Sequence, residues 1–142
     1  LFNNSMLDSA KNGRNKLRTY RQFKTTIALE PYLHCKIRNY RIHFTRLRIS
    51  NHRLKIEVGR HTKPPTPLEQ RLCSTCLLLE DEFHHIMVCK KYIPARHKLI
   101  AELRNHHNNV LTIKELFELI FKNNNPITIP SICYYVYHFN EY

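Results

Sequence analysis

Four residues in the middle of the chain have the types and the spacing of a metal-binding set. Cys73, Cys76, His84 and Cys89 follow one another as C-x2-C-x7-H-x4-C. Three thiolates and one imidazole make a closed four-ligand set, which is typical of a structural zinc site with no open position for substrate. Ligands clustered in so short a window favour zinc over chance burial of small apolar thiols. We therefore predict one structural Zn²⁺ ion that holds a fold together.

The histidine of this set has a neighbour of the same type. His84 and His85 are adjacent, and either imidazole could complete a tetrahedral site with the three cysteines. The four-residue gap before Cys89 favours His84 as the ligand. His85 remains the alternative.

The residues around the ligands indicate which elements must position them. The stretch 73–79 is expected to be a turn, with one short hairpin as an option. Glu80, Asp81 and Glu82 follow it, and acidic residues favour the start of a helix because its N-terminal end carries a partial positive charge. A helix over about 82–90 would then turn both later ligands toward the metal.

Apolar periodicity predicts a mainly α fold, a small helical domain built around this zinc knuckle. In the second predicted helix, Ile37, Tyr40, Phe44 and Leu47 recur at helical spacing and form one buried stripe. Thr112 precedes another helix with Glu115 three residues later, the signature of a capping box. Helices are predicted over 14–29, 35–49, 52–58, 94–107, 112–122 and 129–140. A strand is the alternative for the last segment, since Ile, Val and Tyr favour sheets.

Positive charge is concentrated before residue 61. The chain carries a net charge of +12, and residues 1–60 hold 14 Lys and Arg against three acidic residues. Residues 61–142 are nearly balanced, with nine basic and eight acidic residues. Such asymmetry favours a polyanion as partner, either RNA or DNA. The residues expected to contact phosphates are Arg41, Arg46, Arg48, Arg53, Lys55, Arg60, Lys90 and Lys91.

Charge and proline content divide the chain into three segments. Residues 1–60 form a basic helical segment, 61–70 a Pro-rich linker, and 71–142 the zinc knuckle followed by helices. The odd number of cysteines, with three in the metal motif, favours a reducing compartment over a disulfide scaffold. Cys35 and Cys133 are expected to be plain core residues.

Several function classes lack their signatures in the sequence. Polymerase catalysis needs clustered carboxylates that hold two metal ions, and Asp8 and Asp81 are the only aspartates. Gly13 and Gly59 stand alone, so no Gly-rich phosphate loop is present. No apolar run approaches 18 residues. We expect no catalysis by this chain alone, no small-molecule substrate and no membrane partner.

Three runs of residues resemble the C-terminal region of the reverse transcriptases of non-LTR retrotransposons. They are LRTYRQFKTTIALEPYL, FTRLRISNHRLKIEVGRH and RLCSTCLLLEDEFHHIMVCKKYIPAR, which together span roughly residues 15–100. The resemblance places the family's zinc ligands on Cys73, Cys76, His84 and Cys89. It also matches Tyr92 and Arg96 to the residues that follow the last ligand. In that family, the region lies downstream of the polymerase and helps to grip template RNA or target DNA.

Two functions follow from these observations. The first is a non-catalytic zinc module that binds RNA or DNA, in which Tyr20, Tyr40 or Tyr92 could stack on bases. The alternative is a structural zinc domain that docks onto the polymerase portion or another partner. For the first, we expect an intracellular and nuclear location, with a cytoplasmic ribonucleoprotein stage as the option.

Overall fold

The computed structural model describes residues 17–107 and 111–139, and these residues are mainly helical. Shorter turns lie at Pro31–His34, Leu68–Gln70, His84–Val88 and Lys90–Tyr92. A single bridge joins Leu72 to Leu79 and closes a hairpin beside the metal motif. The predicted fold class is therefore confirmed. The α-helices are α1 (Arg18–Phe23), α2 (Arg38–Arg48), α3 (Lys55–His61), α4 (Ile93–Asn105), α5 (Ile113–Lys122) and α6 (Ile129–Phe139).

One hydrophobic core unites helices from both sides of the Pro-rich stretch. Helix α2 packs along α6, and Phe44 and Leu47 are almost fully buried in this core. The ring of Phe121 on α5 stacks on Phe23 at 4.9 Å and on Phe44 at 5.7 Å between centroids. The segments 1–60 and 71–142 thus differ in charge, but their described residues share one core.

Several local predictions match the structure closely. Thr112 accepts a hydrogen bond from the Glu115 amide, and the Glu115 side chain accepts one from the Thr112 amide, so the capping box at α5 is confirmed. Helix α6 begins at Ile129, as predicted. Cys35 and Cys133 are 3% and 0% exposed, which confirms them as core residues.

The first predicted helix is too long. Within the described residues, α1 ends at Phe23 rather than near residue 29, and positions 14–16 lie outside the described chain. The Lys24 ammonium instead binds the Ala28 carbonyl and the Glu30 carboxylate, which closes a non-helical loop. Thr25 and Thr26 favour this ending because β-branched side chains lose rotamer freedom in a helix.

The predicted stripe on the second helix is buried only in its second half. Phe44 and Leu47 are in the core, Tyr40 is half-buried, and Ile37 is 49% exposed. Helix α2 begins at Arg38, so Ile37 is the residue that flanks its N-terminus rather than part of its buried stripe.

Candidate metal centre and basic surface

The four predicted ligands converge in the structure. One ligand atom from each of Cys73, Cys76, His84 and Cys89 lies within 4.8 Å of all the others. The Cys89 sulfur is 3.9 Å from that of Cys73 and 4.0 Å from that of Cys76. A tetrahedral ion with metal–sulfur bonds near 2.3 Å would separate two sulfurs by about 3.8 Å. The set can therefore hold one metal ion.

The imidazole of His84 supplies an independent test of the fit. Its Nε2 atom is buried and has no hydrogen-bond partner among the described residues. Buried polar atoms are normally hydrogen-bonded, so an orphaned nitrogen needs an explanation. A metal ion between this nitrogen and the three sulfurs would satisfy it. The residues present thus fit the metal that their types predict.

His85 points elsewhere. Its side chain is buried, and its ring meets the Tyr92 ring edge-on with centroids 4.7 Å apart. It does not belong to the converging group. The choice of His84 over its neighbour therefore agrees with the geometry, and Tyr92 is accounted for as the packing partner of His85.

The first two cysteines lie on the hairpin. The Cys73 amide donates to the Leu78 carbonyl at 2.8 Å, and the Leu77 amide donates back to the Cys73 carbonyl at 2.9 Å. Leu77 has a φ of 57°, a left-handed conformation that costs a leucine roughly 1 kcal/mol or more. The Lys90 amide donates to the Cys76 sulfur at 3.4 Å, which ties the hairpin to the last ligand.

A π-turn brings the last two ligands together. The Cys89 amide donates to the His84 carbonyl at 2.7 Å, a bond that spans five residues. In a regular α-helix, residues five apart point about 140° away from each other. The wider turn reduces this angle. The helix predicted over about 82–90 is therefore present over 82–88, and its π-turn makes the ligand spacing work. Asp81 does act at the helix start, since it accepts from the His84 amide at 2.7 Å.

Residues from the C-terminal helices fix the backbone of the π-turn. Arg96 on α4 is buried and donates to the Cys89 carbonyl at 2.9 Å and to the Ile86 carbonyl at 3.3 Å. The Tyr135 hydroxyl on α6 donates to the same Ile86 carbonyl at 3.0 Å. These bonds connect a metal ligand directly to the helical core. The sequence resemblance singled out Arg96, whereas Tyr135 carried no signal.

A buried ionic cluster joins the metal motif to the basic helices. Arg18 on α1 contacts both Glu57 on α3 and Glu82, the latter at 2.8 Å. Glu82 also lies 2.9 Å from the His52 Nε2 atom and accepts from the Ser50 hydroxyl at 3.2 Å. Burial opposes ionisation of Glu82, but the His52 hydrogen bond and the nearby cations outweigh it and lower its pKa to about 2.

The hairpin is braced by contacts that the motif spacing does not reveal. The Ile56 amide donates to the Glu80 carbonyl at 3.1 Å, and the Glu80 amide donates to the Arg71 carbonyl at 2.9 Å. The Arg71 side chain packs so closely on Gly59 that an added Cβ would lie 2.7 Å from its Nε atom. The residues with structural roles around the metal motif are thus Gly59, Arg71, Glu80 and Glu82.

The thiols of Cys73 and Cys89 differ in the direction of their pKa shifts. Burial opposes ionisation of Cys73, yet backbone amides of Cys76 and Thr75 outweigh it and lower the Cys73 pKa. Burial raises the pKa of Cys89 to about 11, and burial lowers the pKa of His84. A neutral imidazole is the form that ligates a metal, whereas the thiols must lose protons. Metal binding is therefore expected to release protons and to weaken in acid.

Most of the predicted phosphate contacts are free at the surface. Arg46, Arg53, Lys55, Lys90 and Lys91 are exposed, and none of them forms an ion pair within residues 17–107 and 111–139. Two others, Arg41 and Arg60, form hydrogen bonds within the molecule. Arg41 donates to the Cys35 carbonyl, and Arg60 donates to Glu57 at 3.0 Å.

Arg48 does not belong to this surface, which corrects the prediction. It is 1% exposed, pairs with Glu30 at 3.1 Å and donates to the Phe121 carbonyl. Its guanidinium also lies 5.4 Å from the centre of the Tyr32 ring. The long side chain crosses the core to reach these partners, so its charge is neutralised internally. A basic residue on a helix flank gave no sequence signal for this role.

Among the described residues, no helix is both long and apolar enough to cross a membrane. Comparisons with protein-family models, curated proteins and solved structures give no match for this chain.

Proposed function

We propose that this chain is a zinc-stabilised module that binds RNA or DNA and has no catalytic activity of its own. In this proposal, Cys73, Cys76, His84 and Cys89 hold one Zn²⁺ ion, whose role is structural. The module belongs to the C-terminal part of a retrotransposon reverse transcriptase. The resemblance of the residues around the ligands supports that assignment.

The proposal is supported by a difference between the buried carboxylates, which are paired with cations, and the exposed cations, which form no ion pair among the described residues. Glu57 and Glu82, which flank the knuckle, are buried and satisfied by Arg18, Arg60 and His52. The exposed cations on α2, before α3 and after Cys89 form no ion pair among the described residues. Unpaired surface cations of one sign attract polyanions, and phosphate contacts supply most of non-specific nucleic-acid binding.

A bound metal ion would fix the positions of two of these cations, Lys90 and Lys91. Lys90 and Lys91 directly follow the last ligand, and the Lys90 amide donates to the Cys76 sulfur. Both lysine side chains are exposed. A bound ion would fix the backbone from which they project, so folding of the knuckle and presentation of these charges would be linked.

Salt-dependent binding tests the proposal. The zinc-loaded chain should bind single-stranded RNA or DNA, and its affinity should fall steeply with salt. The double variant Arg46→Glu, Arg53→Glu should reduce the slope of log K against log salt by about 0.7 for each lost contact. Charge reversal at Arg104 and Lys114, exposed cations on α4 and α5, is the matched control. Arg48 is unsuitable for this test because its substitution would damage the core.

A folded, zinc-loaded chain that binds neither nucleic acid at low salt would sink the proposal. Equal losses in the test and control variants would instead place the contacts elsewhere on the surface, so the basic-face assignment would fail.

The alternative function, a zinc domain that docks on protein, has one observation in its favour. Leu77 and Leu78 are 73% and 52% exposed on the hairpin next to Cys76. Exposed apolar side chains on a rigid support are typical of protein contacts. This function predicts association with the polymerase portion that Leu77→Ser, Leu78→Ser abolishes. Such association would be insensitive to salt and unaffected by Arg46→Glu, Arg53→Glu.

A further inference from the structure

Far from the metal ligands in sequence, α2 and α6 bring five rings together at the surface. We call Tyr40, His43, Tyr134, Tyr137 and His138 the aromatic cluster. Tyr40 lies 4.9 Å from Tyr137 and 5.6 Å from Tyr134, measured between ring centroids. His43 meets Tyr137 at 4.9 Å, and Tyr134 meets His138 at 4.2 Å.

The cluster is more open to solvent than packing between two helices requires. Tyr134 is 45% exposed, and His138 is exposed. Tyr40, His43 and Tyr137 are half-buried beneath them. The inner rings therefore support the outer two, whose exposed portions are available to a planar ligand. Ring pairs on rigid helices lose little conformational freedom when such a ligand binds.

Positive charge lies beside the rings. Asn39, His43 and Arg46 follow at intervals of four and three residues, so they share one face of α2. Arg46 is exposed and forms no ion pair among the described residues. Arg38, the first residue of the same helix, is also exposed. A phosphate bound by Arg38 or Arg46 would therefore lie on the same helix as Tyr40 and His43 of the aromatic cluster.

We infer that the aromatic cluster is a stacking platform for the bases of single-stranded nucleic acid, with Arg46 on its phosphates. The inference rests on the proposed function and adds the mode of binding to it. Stacking on aromatic rings tolerates any base, because every base has a π-face, and it requires bases that are not already paired. The platform should therefore prefer single strands to duplexes.

The test compares two double variants of the full zinc-loaded chain. Tyr134→Ala, His138→Ala removes the exposed rings, and Ile113→Ala, His97→Ala removes an exposed apolar residue and an exposed histidine from α5 and α4. The first should weaken binding of a single-stranded oligonucleotide on the order of tenfold or more. Its salt slope should stay unchanged, because no phosphate contact is lost. Tyr134→Phe keeps a ring at that position, so it should bind with near-normal affinity, whereas Tyr134→Ala should bind more weakly. Melting should show that all variants fold.

Each outcome is decisive. Unchanged single-strand affinity in Tyr134→Ala, His138→Ala, with steep salt dependence retained, would overturn the platform and leave the proposed function standing. A loss matched by the control variant would overturn it equally. If the unaltered chain binds no single strand at any salt concentration, the proposed function fails and the platform fails with it.

Discussion

The metal segment, residues 71–92, and the helical core formed by α1, α2 and α4–α6 are held together by different forces. The core buries phenylalanine rings and aliphatic side chains against one another. The metal segment contributes Ile86 and Met87 to that core, but it also buries charged and ligating groups, including Arg71, Glu82 and His84. Apolar burial is non-directional and tolerant, whereas ligation and ion pairs fail when one partner is lost. The two regions should therefore respond to different perturbations.

Metal removal should give the largest effect and should act on one region. Structural zinc sites supply on the order of 10 kcal/mol of folding free energy, so a chelator should abolish amide protection through residues 71–92. Protection in α2 and α6 should fall much less. Hydrogen exchange followed by mass spectrometry measures both regions in one experiment. Equal loss of protection in the two regions would show that they form one cooperative unit.

Phe121→Ala should damage the opposite region. Phe121 is 4% exposed and stacks between Phe23 and Phe44, so its truncation leaves a cavity that costs about 4 kcal/mol. The denaturant midpoint of the zinc-loaded chain should fall accordingly, while folded protein keeps its metal content. Ile113→Ala, at a 55% exposed site on the same helix, should change stability by about 0.5 kcal/mol or less. Loss of metal from the folded variant would contradict the separation of the two regions.

Glu82→Gln should break the connection between the regions. It leaves Arg18 and His52 without their shared carboxylate in a buried setting, at a cost of about 3 kcal/mol. Glu69→Gln, at an exposed site, is the matched control and should be silent. Chemical denaturation at neutral pH measures both. A silent Glu82→Gln would mean that the ionic cluster contributes specificity rather than stability.

The same carboxylate predicts the sign of a pH effect. The pKa of Glu82 is about 2 in the folded chain, below its ordinary value of 4.5. The contribution of ionised Glu82 to the free energy of unfolding is therefore complete above pH 4.5 and is lost as the pH falls from there toward 2. The stability difference between the unaltered chain and Glu82→Gln should shrink over that range. A difference that grows in acid would contradict the assignment.

Two helix caps offer the smallest and most closely matched comparison. Thr112 is an exposed cap of α5, one of the helices of the core, and the Asp81 carboxylate accepts from the His84 amide in the metal segment. Alanine at either position should cost about 1 kcal/mol. Only Asp81→Ala should also weaken metal affinity, because it frees the backbone of a ligand. Metal competition with a chromogenic chelator separates the two effects, and equal affinities would show that the cap does not position His84.

Local chemistry could be predicted from the sequence because it depends on neighbours along the chain. The capping box at Thr112, the ligand set and the burial of Cys35 and Cys133 needed no knowledge of distant residues. The end of α1 at Phe23 was missed although the β-branched Thr25 and Thr26 favour it, and the π-turn at His84–Val88 was missed because propensity does not encode it. The π-turn had one signal, because five-residue ligand spacing does not suit an α-helix.

Contacts between residues far apart along the chain could not be predicted from the sequence. Arg18 and Glu82 are 64 residues apart, and Arg48 and Phe121 are 73 apart, so neither contact leaves a periodic trace. Arg48 resembles its exposed neighbours in type and spacing, yet the fold places it in the core. The acidic run 80–82 was predicted to start a helix, and it divides three tasks: Glu80 braces the hairpin, Asp81 caps the turn and Glu82 joins the ionic cluster.

The convergence of Cys73, Cys76, His84 and Cys89 predicts one bound metal ion, which can be measured as metal content. Elemental analysis of the purified chain should give one zinc per molecule. His84→Ala should lose it, whereas His85→Ala should retain it because that ring packs on Tyr92. Chelation should lower the melting temperature of the chain and of His85→Ala alike. No bound metal in the unaltered chain, with melting unchanged by chelator, would mean that no metal site exists and that the cysteines are ordinary core residues.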